Sequence, residues 1–155
     1  MLGETLQQLL GCTRAMQIWV HAAHNCTKGT GFMGDHADLY GEIYEALGGE
    51  YDAFAERAIG LTNNEDLACP HAVTRIAMEH MSGFPSPCNA TALTIAATAL
   101  AFAQHHLQTL TNTYESLKAS GEITLGLDDL LMATCSVHET NVYLLQQRVK
   151  AHLDG

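Results

Sequence analysis

Two histidines, His24 and His36, stand on either side of one short glycine-rich connection, HNCTKGTGFMGDH. Imidazole nitrogens ligate transition metals and exchange protons near neutral pH. The glycines after Lys28 are helix-ending signals, so the connection places one imidazole at the end of a helix and the other near the start of the next. A pair of histidines alone is also compatible with packing or surface positions. The segment that follows favours the metal-ligating role.

That segment is strongly acidic, because residues 35–56 contain seven carboxylates and no Lys or Arg. Asp52 and Glu56 are four positions apart, so on a helix both can point to one side. Two imidazoles and two carboxylates form a plausible donor set for Fe(II), a borderline cation that accepts both nitrogen and oxygen. A closed zinc site would more typically use thiolates. The candidate metal ligands are therefore His24, His36, Asp52 and Glu56.

Three further acids, Asp38, Glu42 and Glu45, form one stripe along a helix face. Like charges four positions apart destabilise a helix by about a few tenths of a kcal/mol per pair. Bound cations or simple solvation must offset this repulsion. The stripe is thus either a cation-collecting surface or a solvated acidic face.

The spacing of apolar residues and the glycine and proline breaks predict four long helices and a short one. They cover residues 3–26, 35–61, 65–81 (the short one), 89–118 and 127–153. No long stretch alternates with period two, so we expect no sheet. Four long helices with a connection of about thirty residues between the second and third describe a four-helix bundle with a crossover.

The charge balance disfavours direct DNA binding, although divalent cations could still bridge an assembly to phosphates. Seven Lys and Arg stand against seventeen Asp and Glu, for a formal charge of −10. Nucleic-acid affinity comes largely from Lys and Arg on phosphates, and here the basic residues are scattered with no basic tail. Direct DNA binding is therefore not expected. The longest weakly charged run, residues 89–114, contains histidines and several threonines, which indicates a packed helix and not a membrane span.

The cysteines and the N-terminus indicate the compartment. Five cysteines without a CxxC motif are better explained as reduced thiols than as an exported disulfide framework. The N-terminal sequence lacks the basic start and cleavage site of a signal peptide. We expect a cytoplasmic protein.

The chain resembles the Dps-like mini-ferritins, the DNA-protecting proteins of starved cells within the ferritin-like superfamily. Two motifs carry the resemblance: H-x3-K-G-x2-F-x3-H from His24 to His36, and D-x3-E-R from Asp52 to Arg57. It extends to the helix order and to HETNVYLLQ in the last helix. The resemblance implies an all-α, ferritin-like four-helix bundle formed by a single domain over residues 1–155. A short extra helix lies in the crossover between its second and third long helices.

The resemblance also implies an enzyme, a ferroxidase, with its centre at a dimer interface. His24 and His36 of one subunit would face Asp52 and Glu56 of a two-fold partner. Peroxide or oxygen would oxidise Fe(II) there, and a hollow dodecameric shell would store the ferric mineral and protect against oxidative damage. Zinc is a possible substitute for iron. The stripe of acids would nucleate mineral if it faces the cavity.

Three features depart from the family pattern. Asn25 stands where the family usually has Trp after its first ligand histidine. The interval from His36 to Asp52 is one residue longer than expected, and an extra residue rotates the rest of a helix by roughly 100°. We expect a π-bulge or kink at Gly48-Gly49 to absorb it. The basic N-terminal extension of DNA-binding members is absent. Asn25 and the longer interval support a second hypothesis, an assembled metal-binding or structural shell without efficient ferroxidase activity.

Four further histidines and Trp19 have other expected roles. His21 lies three residues before His24 and is a candidate alternative ligand, and Trp19 is assigned to the core. His71, His80 and His152 are interpreted as surface or packing residues. The sequence has no Glu-x-x-His motif, so we do not expect a di-iron centre inside the bundle. A third hypothesis is a different ferritin-like enzyme or a helical interaction module that uses its histidines only for packing.

Overall fold

Five α-helices account for most of the computed structural model, which describes residues 1–154. They are α1 (Leu2–Cys26), α2 (Glu42–Thr62), α3 (Pro70–Met81), α4 (Ala92–Ala119) and α5 (Leu125–Asp154). A π-helical segment, Gly34–Gly41, runs directly into α2, and a 3₁₀ turn, Glu65–Ala68, precedes α3. Within these residues there is no strand. The predicted all-α fold is confirmed, with four long helices and a short helix in the crossover.

Side chains at the helix starts explain where the elements begin. The Thr91 hydroxyl accepts a hydrogen bond from the Thr94 backbone N–H at 3.1 Å and caps α4. The Asn64 side chain accepts from the Asp66 N–H at 3.0 Å. The single short helix predicted over 65–81 is divided, because Pro70 has no N–H to continue a helix from the 3₁₀ turn and instead begins α3.

Two adjoining groups of buried apolar side chains form the core, and α1 contributes to both. Trp19 is only 4% exposed and its indole N–H donates to the Pro85 carbonyl at 2.9 Å. Its assignment to the core is confirmed. None of the helices over residues 1–154 is both long enough and apolar enough to cross a membrane.

The crossover helix α3 lies directly on α1 because α1 carries a glycine at the contact. A Cβ at Gly11 would come within 2.1 Å of the Ile76 Cγ2 atom. Only a residue without a side chain permits this approach. The contact places the C-terminal part of α3, with His80, beside α4.

The π-helical segment lies elsewhere than the sequence indicated. Gly48 and Gly49 are inside the regular α-helix α2, so the prediction of a bulge there is wrong. The π-helix instead covers Gly34–Gly41 and contains His36. A π-helical turn takes up about one residue more than an α-helical turn. The longer interval from His36 to Asp52 is therefore accommodated at the histidine itself.

Candidate functional site

His24, near the end of α1, and His36, in the π-helical segment, are stacked against each other. Their ring centroids are 3.7 Å apart and the ring planes differ by 16°. Each ring bonds to the other residue's backbone. His24 Nδ1 lies 2.5 Å from the His36 carbonyl oxygen, and His36 Nδ1 lies 2.7 Å from the His24 carbonyl oxygen. The structure thus brings together the two histidines that the sequence singled out.

This reciprocal arrangement fixes the tautomer of both rings. A carbonyl oxygen can only accept, so each Nδ1 must carry the proton and donate it. The Nε2 atom of each neutral ring then carries the free lone pair. A backbone carbonyl on the remote ring nitrogen is the usual way in which proteins orient a metal-ligating histidine. The pair is therefore prepared to offer two nitrogen ligands.

Gly41, the last residue of the π-helical segment, makes the pairing sterically possible. A Cβ on Gly41 would lie 2.7 Å from the His36 carbonyl oxygen and 3.3 Å from His24 Nδ1. The same oxygen accepts the His24 hydrogen bond. Any side chain at this position would push into the contact that orients the two rings.

Aromatic neighbours support the pair on both sides. Phe32 stacks on His36 with ring centroids 5.1 Å apart. Tyr44 is stacked against His21 at 4.2 Å, while the His21 and His24 centroids are 6.3 Å apart. His21 thus packs on a tyrosine and stands outside the stacked pair.

Asp52 and Glu56 lie on α2, and both side chains are exposed. The described residues contain two clusters in which at least three potential ligand atoms lie within 4.8 Å of one another. Neither cluster includes any of the four candidate ligands. One chain thus presents a histidine pair and, separately, a pair of exposed carboxylates. This is the arrangement that a centre shared between two subunits requires. The acids of the stripe, Asp38, Glu42 and Glu45, are also exposed.

A buried ion pair anchors the start of the π-helical segment to α5. The Arg148 guanidinium donates to Asp35 through Nε at 2.6 Å and through Nη2 at 3.1 Å. Asp35 is 3% exposed. The carboxylate raises the pKa of Arg148 further above its ordinary value. Gly31 leaves the space for this side chain, since a Cβ there would lie 1.7 Å from Nη2.

Replacing Arg148 with Gln is expected to destabilise the fold by about 1–3 kcal/mol, because it leaves the Asp35 carboxylate buried without its cation. This value lies below the roughly 3–5 kcal/mol for breaking a fully buried pair, because the arginine side chain is 25% exposed. Denaturant unfolding measures it. The matched control is Arg75→Gln, at an exposed position on α3, which should change stability by less than about 0.5 kcal/mol. Equal effects of the two changes would contradict this role of the ion pair.

A group of potential ligands that was not expected from the sequence lies inside the bundle. Glu50 on α2, His106 on α4 and His138 on α5 have donor atoms within 4.8 Å of one another. Burial alone would raise the pKa of Glu50, but hydrogen bonds from His106 and His138 outweigh it and lower the pKa to about 2. The available signal was the helical spacing, which puts each of these residues in line with the apolar core positions of its own helix.

His80 packs against His105 on α4, in agreement with its interpretation as a surface or packing residue. Its Nδ1 lies 2.9 Å from His105 Nε2, and both side chains are half-buried. Burial, with a contribution from His105, lowers the pKa of His80. Cys12 lies near the two rings, and Cys12, His80 and His105 form a separate group of potential ligands.

The architecture defines a class, the ferritin-like four-helix bundles. Within that class the structure is similar to Dps proteins. A Listeria innocua Dps mutant with two histidines replaced by glycine matches with a TM-score of 0.79 and 15% identity, over 99% of this chain and 95% of its own. Mycobacterium smegmatis Dps matches with a TM-score of 0.78 and 19% identity, over 93% and 82%.

A third structure is Dps from Vibrio cholerae O1, described as a member of a broad superfamily of ferritin-like diiron-carboxylate proteins. It matches with a TM-score of 0.75 and 18% identity, over 94% of this chain and 87% of its own. Comparison with protein-family models and with curated proteins gave no match. The predicted resemblance to Dps is confirmed for the fold, across nearly the whole chain.

Proposed function

We propose that this chain is a Dps-like mini-ferritin that oxidises Fe(II) and stores the ferric product. The observation that carries the proposal is the reciprocal hydrogen bonding of His24 and His36, which leaves a free Nε2 lone pair on each of two stacked rings. The fold supports it. So does the spacing, because the two replaced histidines of the Listeria protein are twelve positions apart in its chain, as His24 and His36 are here.

In the proposed centre, the histidine pair of one subunit meets Asp52 and Glu56 of the partner subunit across a two-fold axis. A two-fold interface is self-complementary, so each dimer holds two such centres. Imidazole and carboxylate together suit Fe(II). Zinc could replace iron on the same donor atoms. The exposure of Asp52 and Glu56 leaves them free to face a neighbouring subunit.

The substrate in this proposal is a pair of Fe(II) ions held by one centre. Each ion loses one electron to a peroxide molecule, which takes up two electrons and two protons and is released as two waters. The carboxylates of Asp52 and Glu56 would hold the two ions close enough to act together. Peroxide is then consumed without release of a one-electron hydroxyl radical, which is the protective part of the function.

Storage requires a closed shell, which we propose to be a dodecamer built from two-fold dimers in the cytoplasm. The exposed stripe of Asp38, Glu42 and Glu45 would then face the cavity and collect ferric ions. Direct DNA binding is not part of the proposal, because the formal charge is −10 and the chain has no basic cluster.

A second candidate is the same shell without efficient iron oxidation. Asn25 favours it, because this exposed residue occupies the position after His24 where an aromatic side chain is usual in the family. Trp19 does not replace that aromatic group, since its indole is buried and bonded to Pro85.

Gel filtration and an anaerobic iron assay test the proposal together. We expect a particle of about 200 kDa, twelve times the 16.7 kDa chain. Addition of Fe(II) and then peroxide should give a rapid ferric absorbance rise, with two Fe(II) consumed per peroxide. An assembled particle that oxidises Fe(II) no faster than buffer would support the second candidate. A monomer or free dimer would contradict both.

A further inference from the structure

We propose that the interior of each bundle holds one divalent transition-metal ion, bound by Glu50, His106 and His138. This site lies within one chain and is separate from the proposed ferroxidase centre. It does not depend on that function, because none of its ligands belongs to the histidine pair or to the exposed carboxylates.

The geometry of the three side chains carries the proposal. His106 Nε2 lies 2.8 Å from Glu50 Oε1, and His138 Nε2 lies 2.6 Å from Glu50 Oε2. Metal–ligand bonds of about 2.1 Å in a tetrahedral site place the ligand atoms about 3.4 Å apart. The nitrogen and oxygen atoms of each pair would therefore need to move apart by roughly 0.7 Å to accommodate an ion.

The three side chains are buried, and a carboxylate without a cation is unfavourable in such surroundings. The side chains of His106, His138 and Glu50 are 0%, 1% and 10% exposed. No Lys or Arg forms an ion pair with Glu50 in the described chain, where its partners are the two imidazoles. Buried charges are ordinarily paired with a cation or coordinate a metal.

Cys12 positions His106 from the opposite side of the ring. Its Sγ lies 3.4 Å from His106 Nδ1, while Nε2 of the same ring faces Glu50. When Nε2 is free to bind an ion, Nδ1 carries the proton and donates it to the sulfur. This contact on the remote nitrogen holds Nε2 towards the carboxylate, the kind of support that metal-ligating histidines receive. Cys12 is thus a positioning residue.

The donor set selects the class of metal. Two neutral imidazoles and one carboxylate suit Zn²⁺, Co²⁺ and Fe²⁺ and disfavour Mg²⁺ and Ca²⁺, which take oxygen ligands. One carboxylate among three ligands indicates a single ion and not a di-iron pair. Because the ligands come from α2, α4 and α5, the bound ion links three of the four long helices.

Metal titration of the metal-stripped shell tests the site. A His36→Ala/Asp52→Ala background removes the ferroxidase ligands, so loss of iron oxidation and loss of the interior site are measured separately. In this background we expect one Zn²⁺ or Co²⁺ per chain by calorimetry. Adding Glu50→Gln, which keeps the side-chain shape, should weaken this binding by at least about a hundredfold. His138→Gln should do the same and carries the test if the first variant does not fold.

His80→Gln is the matched control, because it removes a histidine of the neighbouring Cys12, His80 and His105 group. It should leave the affinity within about threefold, a small fraction of the effect of losing a ligand. X-ray absorption of the zinc-loaded protein should show two imidazoles and no sulfur. Unchanged binding after Glu50→Gln, loss after His80→Gln, or a sulfur ligand would overturn the proposal.

Discussion

A His36→Ala variant is expected to oxidise Fe(II) about ten- to a hundredfold more slowly than the unmodified protein, while its shell stays assembled. The change removes one nitrogen ligand and the hydrogen bond to the His24 carbonyl. It also removes the ring that stacks on His24. The initial rate of the ferric absorbance rise after peroxide addition measures the effect, and gel filtration reports assembly.

The matched control for this variant is His71→Ala. His71 is exposed on α3 and belongs to neither group of potential ligands in the described chain. Its rate should stay within about twofold of the unmodified protein, since surface substitutions away from such features have small effects. Equal loss in both variants, or an unaltered rate in His36→Ala, would remove His36 from the ligand set.

Gly41→Ala is expected to slow iron oxidation by about ten- to a hundredfold. The substitution does not replace any of the proposed iron ligands. The added methyl group would lie 2.7 Å from the His36 carbonyl oxygen, which is backbone and cannot rotate away. The π-helical segment must shift, and the two rings lose the reciprocal contact that aims their lone pairs. Misplacement of a reacting group by about 1 Å can cost a hundredfold in rate.

Gly49→Ala provides a control on the adjoining helix α2. A Cβ at Gly49 meets no atom of the same chain within 4 Å, so alanine should stabilise the helix by about 0.5–1 kcal/mol and leave the histidine pair of that chain undisturbed. Iron oxidation and thermal unfolding of both variants decide the matter. If Gly41→Ala behaved like Gly49→Ala, the close approach at Gly41 would not be functionally important.

The helices were predictable because their signals are local. Apolar spacing and the proline and glycine breaks depend on residues a few positions apart, and they located every helix to within a few residues. The histidine pair was also predictable in part, since a glycine-rich turn returns the chain on itself. Its hydrogen bonds were not, because they depend on the carbonyl groups of two different elements.

The place of the π-helix could not be found in this way. Gly48 and Gly49 form the more conspicuous pair, yet nothing in the structure requires either one to be π-helical. Gly41 is a single glycine whose importance comes from a contact with His24, seventeen positions earlier in the sequence. A contact between distant segments decides the position, and local sequence does not report it.

The interior group shows the same limit. His106 continues the buried positions Phe102 and Ala103 of α4, and His138 continues Leu131 and Thr134 of α5. The pattern shows that each histidine faces the core. It does not show that they meet at one level with Glu50, because that depends on how three helices are aligned along the bundle.

The central claim is that the ferroxidase ligands come from two subunits, and mixed shells test it directly. His36→Ala and Asp52→Ala subunits are unfolded together and reassembled in equal amounts. In a mixed dimer one centre carries both defects and the other has an intact histidine pair facing intact carboxylates. Random pairing should therefore restore about one quarter of the unmodified rate, although each variant alone is nearly inactive. A mixture no faster than the average of its two parents would contradict a shared centre.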